Sequence, residues 1–486
     1  MDGMTDNGAY QKIYPDSRRS AGGTDVFMAV VGEVKTLVAR PENGTGGALY
    51  DRLDGRVNDT AEKLKICPIN HANAALVREF FPFARPTSHA DKKITVGLGD
   101  RLGLASPGHI RLIKGLDVFP VLAQQSMREL NLTGRTYPDV LDAATWAVLQ
   151  EGYECGYGAD GDHLKTADEV AMALGCGFTM ITLDCSEHIN NDALNSPPRE
   201  IERLYNELPE SERAEYEKTY LGKIFELGGG FSAAFDADSL KKTAVVYGKA
   251  VRHAVRIYYD QIAACGRAVD FEISIDETLS KTRPEAHYFT ANELKKHGVE
   301  PASIAPRFCG EFQKGIDYRG DIVDFEWDLA IHARIADHFG YKLSVHSGSD
   351  KFSVFGAVGR LTGGKYHIKT AGTNWLEALR VIAEKDAGLF RDIARLAIKS
   401  LPEAKKYYHI SGDAANVPDV SRTPDGSLPG LLDSDDARQI LHITYGQVLA
   451  EYREKIYAAL NRYEEDYYGK LINHIGKHLD GLLITR

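Results

Sequence analysis

From about residue 90 onward, short apolar runs alternate with amphipathic stretches, and the apolar runs end in charged or hydrogen-bonding residues. No other feature of the chain restricts its fold as strongly. The candidate strands are KITVGLGD (93–100), VFPVLAQQ (118–125), GYGADGDH (156–163), FTMITLDCSEH (178–188), VDFEISIDE (269–277), SIAPRFCGEF (303–312), KLSVHSGSDK (342–351), YHIKTAGT (366–373) and YYHISGD (407–413). Between them, YPDVLDAATWAVLQEGYE (137–154) and LEALRVIAEKDAGLFRDIARLAIKSL (376–401) repeat apolar residues at helical spacing. Strands that alternate with helices build βαβ units around a parallel sheet. The expected fold is α/β, a (β/α)8 TIM-type barrel. Nine candidates are one too many for eight positions, so one of them is expected outside the barrel.

The barrel is assigned to residues 91–486, with a charged helical insertion at about 189–268 that is too long for a simple crossover. Residues 1–90 read as an N-terminal arm, to about residue 25, followed by a small cap. In that cap VFMAVVGEVKTLVA (26–39) is strand-like and PINHANAALVREFF (68–81) has helical spacing.

The strand ends carry the chemistry. Asp162 and His163 close one candidate, Asp184 and His188 the next, then Asp276 and Glu277, Glu311, His346, Lys369 and His409. In a (β/α)8 barrel the loops after the strands build the active site, so residues at these ends converge. Period-two spacing adds that Glu272, Ser274 and Asp276 share one strand face and Lys342, Ser344 and His346 another. Those faces are expected to point into the barrel. Any one strand-end aspartate also serves simply as the N-cap of the next helix, and a lone histidine as a satisfied core residue. A whole ring of charges is different, because burying it without partners is prohibitively costly. A divalent ion or a polar substrate is the economical partner, and mixed Asp, Glu and His donors suit Zn²⁺, Mn²⁺ or Ni²⁺. No local signature such as HExxH fixes the ligands.

Several classes of function are excluded. A net charge of −11 with no dense Lys/Arg block leaves no footprint for nucleic acid. No apolar run approaches the length of a membrane span, and the polar, Gly-rich start lacks a signal peptide's apolar region. Six scattered cysteines with no CxxC fit reduced thiols, so a cytoplasmic protein is expected. GLGDRLG (97–103) has its third glycine one residue late for a dinucleotide fingerprint, and GxxxxGK[ST] and GxSxG are missing, so no nucleotide cofactor is expected. IKTAGTNW (368–375) reads either as an anion clamp ahead of a helix or as an ordinary helix start capped by Thr373 or Asn374.

The blocks GADGDHLKTADE (158–169), TLDCSEHI (182–189), SIDET (274–278), APRFCGEFQKGIDYRGD (305–321), YKLSVHSGSDKFSVF (341–355), HIKTAGTNWLEALRVIA (367–383) and ARQILHITYG (437–446) resemble, in order, those of the tagaturonate epimerase family, related to engineered tagatose 4-epimerases. The resemblance implies a metal-dependent barrel enzyme of hexuronate catabolism that interconverts D-tagaturonate and D-fructuronate. Its substrate is a small sugar acid; the oligomeric state stays open.

Strand-end position and chemistry then assign the candidate roles. Asp162, Asp276, His346 and His409 are the metal candidates. His163, Glu277, Glu311 and Lys351 are the catalytic candidates, Lys351 as a charge for the uronate or an oxyanion. Lys165, Arg307, Ser347, Ser349 and Lys369 are the substrate-binding candidates. His474, in a charged helical tail, is expected to matter little. A metal-dependent aldolase that releases its fragments uses the same machinery, and a non-catalytic sugar-acid binding protein is the reading from another class.

Overall fold

A computed structural model describes residues 10–44, 46–58 and 62–484. Its centre is a closed barrel of eight parallel strands. Preceding it, an antiparallel sheet contains β1 (Lys12–Ala21), β2 (Thr24–Val31), β3 (Val34–Pro41), β4 (Arg56–Val57) and β5 (Lys65–Pro68), in the order β1-β2-β3-β5-β4. The expected arm is therefore a strand from residue 12. β1 escapes a sequence reading because it buries only Tyr14 and Ser17 and carries Pro15, Arg18 and Arg19. An edge position tolerates such a composition, since a proline there forfeits no ladder bond. The strand-like stretch 26–39 folds back on itself at Gly32 and Glu33, both at positive φ, which closes the β2–β3 hairpin. This sheet packs Tyr14, Val26, Met28 and Leu37 against Trp146 and Leu149 of the barrel helix Tyr137–Gln150.

The barrel begins with β6 (Ile94–Leu98), β7 (Phe119–Ser126), β8 (Gly158–Leu164) and β9 (Met180–Asp184). An excursion follows, containing the helices Pro198–Asn206 and Glu210–Tyr220, a hairpin of β10 (Lys223–Gly228) and β11 (Phe231–Phe235), and the crossover helix Ala237–Ile257. The barrel resumes with β12 (Asp270–Ile275), β13 (Ser303–Pro306), β14 (Lys342–Val345) and β15 (Tyr366–Thr370). β15 pairs with β6, from Tyr366 opposite Ile94 to Thr370 opposite Leu98, and that pairing closes the ring.

Eight of the nine candidate stretches contain the barrel strands. The ninth, 407–413, forms no strand. It does bury alternate residues (Tyr408, Ile410 and Gly412), but the closed ring leaves no edge for it to pair with. Helices from Thr373 to Gly481 cover that side of the barrel and bury Trp375, Phe390, Tyr445 and Tyr467 in a core of their own. Among the described residues, no helix is long and apolar enough to cross a membrane.

Candidate active site

The barrel interior is polar. Lys369, on β15, reaches across the axis to Asp160 (2.9 Å), Asp162 (2.7 Å) and Glu272 (3.0 Å), and its ammonium also donates to Thr182 Oγ1. Burial alone would discharge this lysine, but the three carboxylates outweigh it and hold its pKa well above the ordinary value. Lys369 thus organises the carboxylates of β8 and β12, and its donors are spent on the protein.

Just above this layer, toward the strand C-termini, lies a cavity of about 290 Å³. Asp162, His163, Lys165, Asp184, Asp276, Glu277, His346, Ser347, Ser349, Lys351 and Lys369 all line it. A register shift between β8 and β9, at Gly161 to Leu164, lets the adjacent Asp162 and His163 both face it, as a bulge re-aims side chains that strict alternation would separate. His163, Ser347 and Asp350 adopt positive φ (55°, 52° and 62°), backbone strain of the kind that functional sites retain.

The ligand-capable atoms of His163, Asp276 and His346 lie within 4.8 Å of one another. His163 sets its Nδ1 against Asp162 Oδ1 at 2.7 Å, which leaves Nε2 for another partner. His346 sets Nε2 against Glu272 Oε1 at 2.8 Å and Nδ1 against Asp276 Oδ2 at 3.1 Å. If Nε2 carries the proton, Nδ1 and Asp276 are two acceptors facing each other and need a cation between them. A second proton can fill that role: burial opposes it, yet Asp276 and the two hydrogen bonds outweigh burial and push the His346 pKa up to about 10. A divalent ion shared with His163 fills it equally well. Each imidazole then keeps a carboxylate on its other nitrogen, the usual arrangement for histidine ligands. The donor set therefore fits a divalent ion of the Zn²⁺, Mn²⁺ or Ni²⁺ type.

The other expected site residues take different places. Glu311 is exposed and pairs its backbone with Arg319, because β13 stops at Pro306 and the chain turns away. Arg307 donates to the carbonyl of Thr278 and braces the loop after β12. His409 is exposed on the segment that forms no strand. None of these three lines the cavity. Lys165 is held by Glu187 at 3.1 Å, with Asp184 at 3.6 Å. Lys351 donates to the carbonyls of Gln313, Ile316 and Ser349 (2.9, 2.6 and 2.8 Å), and burial pulls its pKa down to about 7. By contrast, no hydrogen bond or ion pair among the described residues holds the Glu277 carboxylate.

Arg101, Gln124, Glu129, Lys314, Tyr408 and His442 also line the cavity and were not anticipated. Arg101 lies just beyond the end of β6, where strand-end reasoning reaches it. Lys314 comes from the long loop after β13 and His442 from a C-terminal helix, where no periodic signal marks them.

The model of the tagaturonate epimerase family matches residues 14–482. The chain belongs to this family. It is 40% identical over 474 residues to the tagaturonate/fructuronate epimerase of Thermotoga maritima, covering 96% of each chain. The native crystal structure of the fructuronate-tagaturonate epimerase of Cohnella laeviribosi superposes with a TM-score of 0.95 at 49% identity, covering 99% of this chain and 98% of that one. A glycerol complex of the same Cohnella enzyme gives a TM-score of 0.94, also at 49% identity, with 98% and 97% covered. Membership makes the chain an isomerase, an epimerase built on a (β/α)8 barrel.

Proposed function

We propose that this chain interconverts D-tagaturonate and D-fructuronate with the help of a divalent ion held by His163, Asp276 and His346. The observation that carries this reading is the convergence of those three side chains at the floor of the cavity, in a family whose relatives are named for this epimerisation. The bound ion would supply Lewis-acid stabilisation of negative charge developing on the sugar's ketone oxygen.

The two sugars differ at C4, two bonds from the C2 ketone, so the C4 hydrogen is not acidified and direct deprotonation faces a large barrier. Retro-aldol chemistry avoids it. Glu277 takes the proton of the C4 hydroxyl, the C3–C4 bond breaks, and its electron pair passes to the ketone as an enediolate, leaving an aldehyde at C4. The aldehyde turns its other face, the bond re-forms, and Glu277 returns the proton. Asp162 and Glu272 orient the two imidazoles, and Lys369 fixes both carboxylates. The loop bearing Ser347 and Ser349 walls the cavity, which keeps the two fragments together.

Turnover of D-tagaturonate by purified protein tests the reading. Fructuronate should form, chelation should abolish its formation, and Mn²⁺, Zn²⁺ or Ni²⁺ should restore it. Free three-carbon fragments in place of the epimer point to an aldolase instead, and full activity in a verified metal-free preparation refutes the metal role.

A further inference from the structure

Besides the carboxylates and histidines described above, cations line the cavity, among them Arg101, Lys314 and Lys351. Arg101 is paired with Glu129 at 2.8 Å, and Lys351 is satisfied by backbone carbonyls. Lys314 is the exception. Its ammonium carries three donors, and among the described residues only one is used, on Ser347 Oγ at 2.9 Å, with no carboxylate paired to it. Burial depresses its pKa, with the positive charge of Arg101 acting the same way, and outweighs the negative charges of Glu129, Glu277 and Asp162 nearby. A buried ammonium with two donors unspent is costly unless an acceptor arrives from outside the chain.

Two further features face the same place. The helix Thr373–Lys385 starts at Gly372 with no side-chain cap, and Gly372 lines the cavity. Neither Thr373 nor Asn374 caps it, because Thr373 turns to Asp350 and Asn374 to the carbonyl of Gly99. His442 is 1% exposed, lines the cavity, and its Nδ1 is buried without a hydrogen-bond partner. A Cβ on residue 372 would fall 1.7 Å from His442 Nε2, so only glycine lets the imidazole and the helix start approach so closely. An ammonium with donors to spare, a buried imidazole and an uncapped helix N-terminus therefore all line the same cavity.

We infer that Lys314, His442 and the N-terminus of the helix Thr373–Lys385 form the subsite for the substrate's carboxylate and discriminate a hexuronate from a neutral ketohexose. The inference rests on the epimerase reading and deepens it. A ketohexuronate carries its metal-binding oxygens at one end and its carboxylate at the other, so its two ends call for chemically different partners. Helix N-termini favour anions through their amides and dipole, and the ammonium adds a charge-assisted hydrogen bond.

The test compares binding of D-galactonate, a sugar acid, with that of galactitol, its neutral counterpart, to the metal-loaded protein by titration calorimetry. The wild type should prefer the acid, and Lys314→Met should lower the acid's affinity by about 30-fold or more, the scale for removing one partner of a buried charge pair. The preference should collapse toward one, Lys314→Arg should keep most of it, and KM for D-tagaturonate should rise in parallel. Galactitol binding reports whether each variant is folded. A wild type with no preference for the acid overturns the inference, as does a Lys314→Met variant that keeps the preference or loses both ligands equally. Epimerisation by the wild type is measured separately, so failure of the subsite and failure of the epimerase reading are told apart.

Discussion

His474 Nε2 lies 2.5 Å from Asp350 Oδ1, joining the C-terminal helix Glu464–Gly481 to the loop that follows β14. Asp350 also accepts from Arg438 at 2.8 Å, and its backbone N–H donates to His478 Nε2 at 2.9 Å. Burial alone would raise the Asp350 pKa, but the hydrogen bond from His474 and the charge of Arg438 hold it well below the usual carboxylate range. This is the loop that carries His346, Ser347 and Lys351. The sequence places His474 in a tail of no consequence; the structure makes it a brace for the active-site loop. His474→Ala should cost about 1–3 kcal/mol of stability, the price of leaving a buried carboxylate short of a donor. It should also lower turnover, read as a fall in Tm together with a fall in kcat. An unchanged Tm would show that Asp350 does not need this partner.

His346→Ala should act on chemistry more than on the fold. It removes one of three converging donors, so bound metal should be lost and kcat should drop by about two orders of magnitude or more. Metal analysis beside steady-state kinetics checks both, and wild-type values for both would misplace the site.

Lys369→Met should be among the most destabilising single changes in the barrel. It leaves Asp160, Asp162 and Glu272 buried around an apolar side chain, and breaking a buried charge network by removing one partner costs about 3–5 kcal/mol. Chemical denaturation measures it. A loss below about 1 kcal/mol would mean that those carboxylates are protonated or hydrated without the lysine.

The junction between the N-terminal sheet and the C-terminal helix should be acid-sensitive through Glu464, which pairs with Lys12 (3.2 Å) and Lys35 (2.8 Å) and accepts from Tyr14 and Tyr468. Burial would raise its pKa, but Lys35 and these hydrogen bonds hold it down at about 2, against 4.5 for a free side chain. A depressed carboxylate stabilises the fold above its unfolded value, and the contribution is lost as pH falls from about 4.5 through about 2. The shift corresponds to at most about 3 kcal/mol. The net gain is smaller, because burial also pulls down the pKa of Lys35. The Tm gap between the wild type and Glu464→Gln should therefore be full near pH 6 and shrink steadily below about pH 4.5. A gap independent of pH would mean that the carboxylate's charge is not what holds the junction.

The barrel was legible because each βα unit repeats one pattern, an apolar run followed by an amphipathic helix. That His346, Asp276 and His163 converge was legible because strand ends converge whatever the loops do. Strand-end chemistry nevertheless assigns His163 an acid/base role and Asp162 to the metal, and only the β8 bulge brings the two side by side. Glu311 and Arg307 were misplaced because the apolar run 303–312 outlasts its strand, which stops at Pro306. His409 was misplaced because alternate burial without a pairing edge looks the same in sequence as a strand. Lys314 and His442 reach the cavity only through tertiary packing, from a loop and a helix far from any strand end, and no spacing announces that.

The account stands most directly on which bond breaks at C4. Turnover of D-tagaturonate in D₂O, followed by proton and carbon NMR, tells cleavage of C3–C4 from proton abstraction at C4. Fructuronate should accumulate with its original hydrogen still on C4, since cleavage of C3–C4 never removes it. Deuterium appearing at C4 at the rate of epimerisation would contradict the account and point to proton abstraction at that carbon.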